Sequence, residues 1–168
     1  MGLCPLLRFA LGAAERFVLA DLPGLIEGAS EGAGLGHRFL GHVERCAAVL
    51  HLVDGSAEDP GADYTTIRQE LINYGGGIED KPEIIVLSKA DIISAERLED
   101  VKSDMEAECG HAPLIISSVT NQGLKPVLFA VYEHVQKRRQ KEEAAREAKR
   151  VADAVKRGEM QEQKGWSP

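Results

Sequence analysis

The sequence predicts an α/β fold: three layers, with a mostly parallel sheet carrying helices on both faces, followed by a C-terminal helical extension. Three observations predict it. Four short apolar runs begin at residues 16, 46, 83 and 113 of the 168-residue chain. The last three are nearly continuous rather than alternating, as strands buried on both faces are. Segments of helical period separate the runs, so strand and helix take turns, the order of βαβ units.

The runs are "RFVLAD" (16–21), "CAAVLHLVD" (46–54), "EIIVLS" (83–88) and "PLIISS" (113–118). A helix is expected over 36–45. A second covers 63–74, where Ile67, Leu71 and Tyr74 share a face. A third covers 94–109, opened by Ser94 as its cap. The residue three beyond Ser94 is Arg97, so the capping box is incomplete. A fourth helix starts at Gly123, with Leu124, Val127, Leu128, Val131 and Val135 in one stripe. This organisation gives a domain over 1–135 and a charged tail over 136–168.

Composition narrows the function classes. Hydrophobic residues are 43% and aromatics 5%, so the core is aliphatic. The net charge of −7 argues against capture of nucleic acid by the whole surface. The charge is segregated, however. Residues 134–168 carry ten Lys/Arg against six Asp/Glu, a net of +4, and residues 1–133 carry ten against 21, a net of −11. The stretch "QKRRQKEEAAREAKRVADAVKRG" (136–158) is strongly helix-forming but has little to bury. It reads either as a solvated helical extension that frays or as a basic arm reaching RNA. Cys4, Cys46 and Cys109 form no pair pattern and read as reduced thiols of a cytoplasmic protein. No apolar run reaches the roughly 18 residues of a membrane span. The five histidines show no metal-ligand spacing.

Chemistry is expected where strands end and helices begin. After the first run stands "DLPG" (21–24), where an Asp beside a Pro-Gly turn can hold a magnesium-bound water and the Gly24 N–H can meet a phosphate. The alternative is a plain turn. After the third stands "SKAD" (88–91). A carboxylate there can accept two parallel N–H bonds, which guanine offers and adenine does not. The alternative is that Asp91 caps the next helix. After the fourth stands "SSVT" (117–120). Asp54, after the second run, reads as a strand-end turn residue.

Taken together, "ADLPGLIEGASEGAGLGHRFLGHVERC", "LHLVD", "DYTTIRQELINYG" and "KPEIIVLSKADI" resemble the GTPase domain of the Obg family of ribosome-associated GTPases. The resemblance covers roughly residues 3–132. It implies a GTP-binding protein acting in assembly of the large ribosomal subunit, with GTP or GDP and Mg2+ as ligands. The implied partners are guanine nucleotide and a ribosomal particle or rRNA, with neither DNA nor membrane. Asp21 and Gly24 match the switch II positions that sense metal and γ-phosphate, with Asp21 on the metal side. Lys89 and Asp91 match the guanine-specificity motif N-K-x-D, with Ser88 in the Asn position. Ser117 and Ser118 match the motif whose backbone N–H meets the guanine carbonyl. Leu25 stands where many GTPases place a water-orienting Gln, so hydrolysis is expected to be slow or to use another group.

One part of such a site has no counterpart. No G-x-x-x-x-G-K-[S/T] occurs anywhere in the 168 residues. The glycines at 28, 32, 34 and 36 follow the switch Asp and have no Lys among them, so they suit a segment that reshapes rather than a phosphate cradle. The chain is expected to be a G-domain fragment lacking the family's first strand and P-loop. Each charge-assisted bond to phosphate is worth roughly 1.5–3 kcal/mol. Losing several exceeds about 6 kcal/mol, over four decades of affinity. The fragment is therefore not expected to bind or hydrolyse GTP well. The other reading is a non-catalytic module that binds ribosome or RNA. In the family's sheet the first strand joins the runs at 16 and 46, so two edges are expected to lack a partner and the fold to be marginal. A cooperative unfolding transition above about 60 °C would contradict that.

Overall fold

The computed structural model describes residues 6–11, 15–21, 46–74 and 77–157. The elements in chain order are β1 (Leu6–Ala10), β2 (Arg16–Ala20), β3 (Val49–Asp54), α1 (Pro60–Tyr74), β4 (Glu83–Ser88), a 3-10 turn (Ala90–Ile92), α2 (Ala95–Cys109), β5 (Leu114–Ile115) and α3 (Leu124–Lys156). Strands β3, β4 and β5 form a parallel sheet in that order. Strands β1 and β2 form a separate antiparallel hairpin. The helix expected over 36–45 lies outside the described residues.

Strand β4 explains the layering. Its four inner residues, Ile84 to Leu87, are all buried, and successive side chains of a strand point to opposite faces. On one face Ile84 and Val86 join Phe17 of β2, Ile116, and Val127 and Val131 of α3. On the other, Ile85 and Leu87 join Val53, Tyr64 of α1, and Val101 and Met105 of α2. Helices therefore cover both faces, as the near-continuous apolar run requires.

The hairpin is held through Phe17. Its ring stacks on Phe9 directly across the strand pair, with centroids 5.7 Å apart, and lies 6.5 Å from the ring of Tyr132 on α3. Strand β1 was not among the expected strands. "LLRFA" has Arg8 in the middle of a short apolar run, so its pattern alone is weak; the facing Phe9–Phe17 pair pins it. The strand expected over 113–118 is regular only at 114–115, because from Ile116 onward the chain turns.

Helix α2 forms as expected. The Ser94 hydroxyl accepts from the Arg97 N–H at 3.2 Å, satisfying one of the donors a helix start leaves open. Gly110 ends the helix in the left-handed region and donates to the Glu106 carbonyl at 2.9 Å. The side chain of Asp91 does not cap this helix; it sits inside the 3-10 turn before it. Helix α1 starts three residues earlier than expected, at Pro60, a residue suited to a first helical turn.

At the amino end of β4 a polar cluster ties helix to sheet. His51 Nδ1 lies 2.8 Å from Glu83 Oε1. The Tyr64 hydroxyl donates to Glu83 Oε2 at 3.4 Å, and Arg68 Nη1 lies 3.5 Å from the same oxygen. Burial pushes the Glu83 carboxyl up. The bond and charge of His51, the charge of Arg68 and the bond from Tyr64 outweigh burial and leave it below the usual range. Burial and the Glu83 charge push Tyr64 up to about 12.

The chain divides into two compact units, Met1–Val135 and Gln136–Pro168. In the second, the described residues 136–156 are helical and almost wholly exposed. No helix among the described residues is long and apolar enough to cross a membrane.

Truncating Leu87 to Ala is expected to cost about 2–5 kcal/mol, because its side chain is fully buried and tightly packed. Leu52→Ala, on a side chain 57% exposed, should stay within about 0.5 kcal/mol. Chemical denaturation of the two variants checks the contrast.

Candidate functional site

Parallel pairing brings the carboxyl ends of β3, β4 and β5 to one edge. Asp54 is level with Ser88, and Leu87 with Ile115. Two backbone bonds extend the β4–β5 pairing past the strands: Ile116 N–H donates to the Leu87 carbonyl at 2.8 Å, and Ala90 N–H to the Ile116 carbonyl at 3.1 Å. The loop 88–91 and the turn 117–120 therefore lie side by side. The ordering of these two loops follows from the same ladder that builds the sheet.

The loop after β4 is shaped by its bond to the end of β3. Ser88 Oγ donates to the Val53 carbonyl at 2.9 Å. Gly55 N–H donates back to the Ser88 carbonyl at 3.1 Å. A Cβ at Gly55 would come within 2.9 Å of that carbonyl and 2.8 Å of Ile93 Cδ1, so the close approach needs glycine. Lys89 then takes the left-handed conformation, φ 59° and ψ 32°, at roughly 1–2 kcal/mol for a residue with a side chain. Left-handed non-glycine residues persist where their surroundings over-determine them, often at functional sites.

Asp54 is part of what determines it. Lys89 Nζ lies 2.6 Å from Asp54 Oδ2. The other oxygen, Oδ1, accepts from the Ser56 N–H at 3.0 Å and the Ser56 hydroxyl at 2.6 Å. Asp54 was expected to be a turn residue only; it also fixes the lysine. The bond from Lys89 and then those from Ser56 hold its carboxyl down to about 2. The signal for this role was available in the alignment of two strand ends, which places Asp54 opposite Ser88 once the parallel register is known.

Asp91 stands exposed in the 3-10 turn. Ser117 is fully buried. Its hydroxyl accepts from the Thr120 N–H at 3.1 Å, and its N–H donates to the Gln122 carbonyl at 3.1 Å. Ser117 thus closes the turn, and Ser118 is exposed upon it. Asn121 and Gly123 carry the turn through positive φ, 61° and 72°. A Cβ on Gly123 would collide with the Ile115 carbonyl oxygen, so this glycine is required as well.

Of the expected site residues, Ser88, Lys89, Asp91, Ser117 and Ser118 come together on these two loops. Asp21 is exposed just past β2, in the other sheet. Gly24 and the glycine-rich stretch lie outside the described residues. No group of three His, Cys, Asp or Glu side chains among the described residues could hold a metal ion. A lone Asp21 suits magnesium only with nucleotide phosphate supplying further oxygens, the usual division of ligands for that ion.

The cluster can present a carboxylate, a lysine stem and turn amides to one planar ligand. Comparison with known proteins gives two matches. A family model described as 50S ribosome-binding GTPase matches residues 7–89. The chain is 50% identical over 130 residues to GTPase Obg of Acidiphilium cryptum (strain JF-5). The match covers 77% of this chain and 39% of that protein. The chain thus spans about two fifths of the length of the curated relative it matches.

The Asp54 carboxyl should titrate near 2 in the parent, and Lys89→Ala should move it back toward 3.8. Because its pKa is depressed on folding, Asp54 stabilises the fold above about pH 4, and that contribution is lost as the pH falls toward 2. Exposure screens the pair, so the loss should stay below about 1 kcal/mol. Carboxyl NMR titration of parent and variant checks both directions; an Asp54 midpoint near 3.8 in the parent contradicts the clamp.

Proposed function

We propose that the chain is a piece of an Obg-type P-loop GTPase, a cytoplasmic guanine-nucleotide-binding protein acting with the large ribosomal subunit. Its loops after β4 and β5 read the base. Asp91 accepts the two N–H bonds that guanine presents, the Lys89 stem lies along the ring, and the Ser118 N–H meets the guanine carbonyl. Asp21 and Gly24 serve the magnesium and γ-phosphate side. The observation that carries the reading is the Ala90–Ile116 bond, which sets the two base-side loops against each other.

When nucleotide binds, Mg2+ supplies charge neutralisation at the phosphates. The chain's own contribution is orientation. Asp54 and Ser56 hold Lys89 before any ligand arrives, so less side-chain freedom is lost on binding. Ser88 takes over the anchoring side of the Asn position by bonding the Val53 carbonyl. The 168 residues include no Walker-type lysine, so a polypeptide of these residues holds the base side of the site without the phosphate side. A second reading, a ribosome-binding module that works without nucleotide, is favoured by that same sequence feature.

Fluorescent GDP titrated with magnesium should bind a polypeptide of these residues weakly, with no micromolar phase. At high nucleotide, amide NMR shifts should appear at Lys89–Asp91 and Ser117–Thr120 with GDP and not with ADP. Asp91→Asn offers one donor and one acceptor, and should turn the preference toward xanthosine diphosphate. Equal shifts with ADP, or no shifts at these amides, would sink the base-reading assignment. Micromolar, GTP-specific binding would overturn the claim of weakness.

A further inference from the structure

The second compact unit carries a pattern that the nucleotide site does not use. Its described part is helix from residue 136 to Lys156, with Arg157 in the turn that ends it and its N–H still bonded to the Asp153 carbonyl at 3.1 Å. At 3.6 residues per turn, Arg139, Arg146, Lys149, Arg150, Lys156 and Arg157 fall within one sector about 120° wide. All six are exposed. From Arg139 to Arg157 the face runs about 27 Å, at 1.5 Å per residue.

Acidic residues temper this face without cancelling it. Glu142 lies in the sector but bonds Arg138 Nε at 2.7 Å, so that pair is neutral together. Glu143 and Glu147 lie beside the sector, and Glu147 bonds Arg150 at 3.0 Å. Asp153 lies within it. Discounting Glu143, Glu147 and Asp153 leaves about three net positive charges on a single helix face, in a chain whose net charge is −7.

The rest of the helix surface decides what kind of polyanion fits. The opposite sector is built from Ala144, Ala148, Val151, Ala152 and Val155. Nothing there is larger than valine. A helix that lies in a membrane surface needs Leu, Phe or Trp to bury among acyl chains. Lys137 and Lys141 fall on the same small-residue stripe, so a parallel second copy seated on it would oppose like charges. A phosphate backbone needs neither apolar bulk nor a continuous seam, only cations spaced along one face.

We propose that the Arg139–Arg157 face of α3 is a docking surface for an RNA phosphate backbone. The choice of RNA among phosphodiesters rests on the ribosomal reading above. The surface itself does not depend on the guanine loops. About three neutralised phosphates predict a log–log salt slope near −2, a loss on the order of twentyfold between about 50 and 200 mM salt.

The test uses the 168-residue chain and fluorescence anisotropy with labelled RNA, DNA of matched sequence, and vesicles rich in anionic lipid. Arg146→Glu/Lys149→Glu changes the basic sector. Lys137→Glu/Lys141→Glu changes net charge equally but on the other side. The first should weaken RNA binding by at least about tenfold; the second should leave it within about twofold. Far-UV circular dichroism checks the helix, and Arg146→Gln/Lys149→Gln replaces the first variant if reversed charges melt it. No RNA binding at low salt, equal weakening by both variants, or tighter binding to DNA or vesicles would overturn the proposal. GDP-induced amide shifts are recorded in parallel. A chain that binds RNA through this face and ignores GDP keeps this proposal and removes the guanine reading.

Discussion

Strand β4 has to be buried on both faces at once, and most of the described architecture answers that requirement. Ile84 and Val86 need cover on one side, Ile85 and Leu87 on the other. A single helix cannot give both, so α3 with the β1–β2 hairpin packs one face and α1 with α2 packs the other. Burying one such side chain is worth roughly 1.5–3 kcal/mol, so four in a row outweigh local preferences along the strand. The chain must then leave β4 at the sheet edge, and there it meets the ends of β3 and β5. The position of the loops after β4 and β5 is thus a by-product of how the core is filled.

Those loops are held by polar bonds rather than by apolar packing. Lys89 bonds Asp54, Asp54 bonds Ser56, and Ser88 bonds the Val53 carbonyl. Each bond is exposed or partly so, and each alone contributes on the order of 1 kcal/mol. Together they oppose the cost of keeping Lys89 in a left-handed conformation. Two glycines, Gly55 and Gly123, make the close approaches possible, each against a carbonyl of a neighbouring strand end. A scaffold of this kind costs little to assemble because the strands have already brought its parts within reach.

Much of this was legible in the sequence. The apolar runs at 83–88 and 46–54 announced buried strands, and the Ser94 cap announced a helix start. The residues "SKAD" and "SSVT" were recognisable as rim positions because they follow such runs. What was not legible depended on pairing across distance. Asp54 looked like a turn residue because its partner is 35 positions away. Strand β1 was hidden because Leu6–Ala10 is too short and interrupted to declare a period; its partner Phe17 supplies the reason for it. The length of "PLIISS" overstated β5, since Ser117 turns inward to close a loop. Asp91 had two readings, and the structure rejects the capping one because Ser94 holds that role.

The polar cluster at Glu83 gives β4 a second fixed point. His51, Tyr64 and Arg68 hold its first residue, while Ser88 and Lys89 hold its exit. A strand anchored at both ends cannot slip by one place. Such a slip would exchange the two apolar sets between faces and carry the Glu83 carboxylate out of reach of its partners. Over evolutionary time, β4 is therefore free to trade one branched apolar residue for another. It is not free to gain or lose a residue. Insertions and deletions belong instead to the connections, where a change in length leaves the spacing between Glu83 and Ser88 intact.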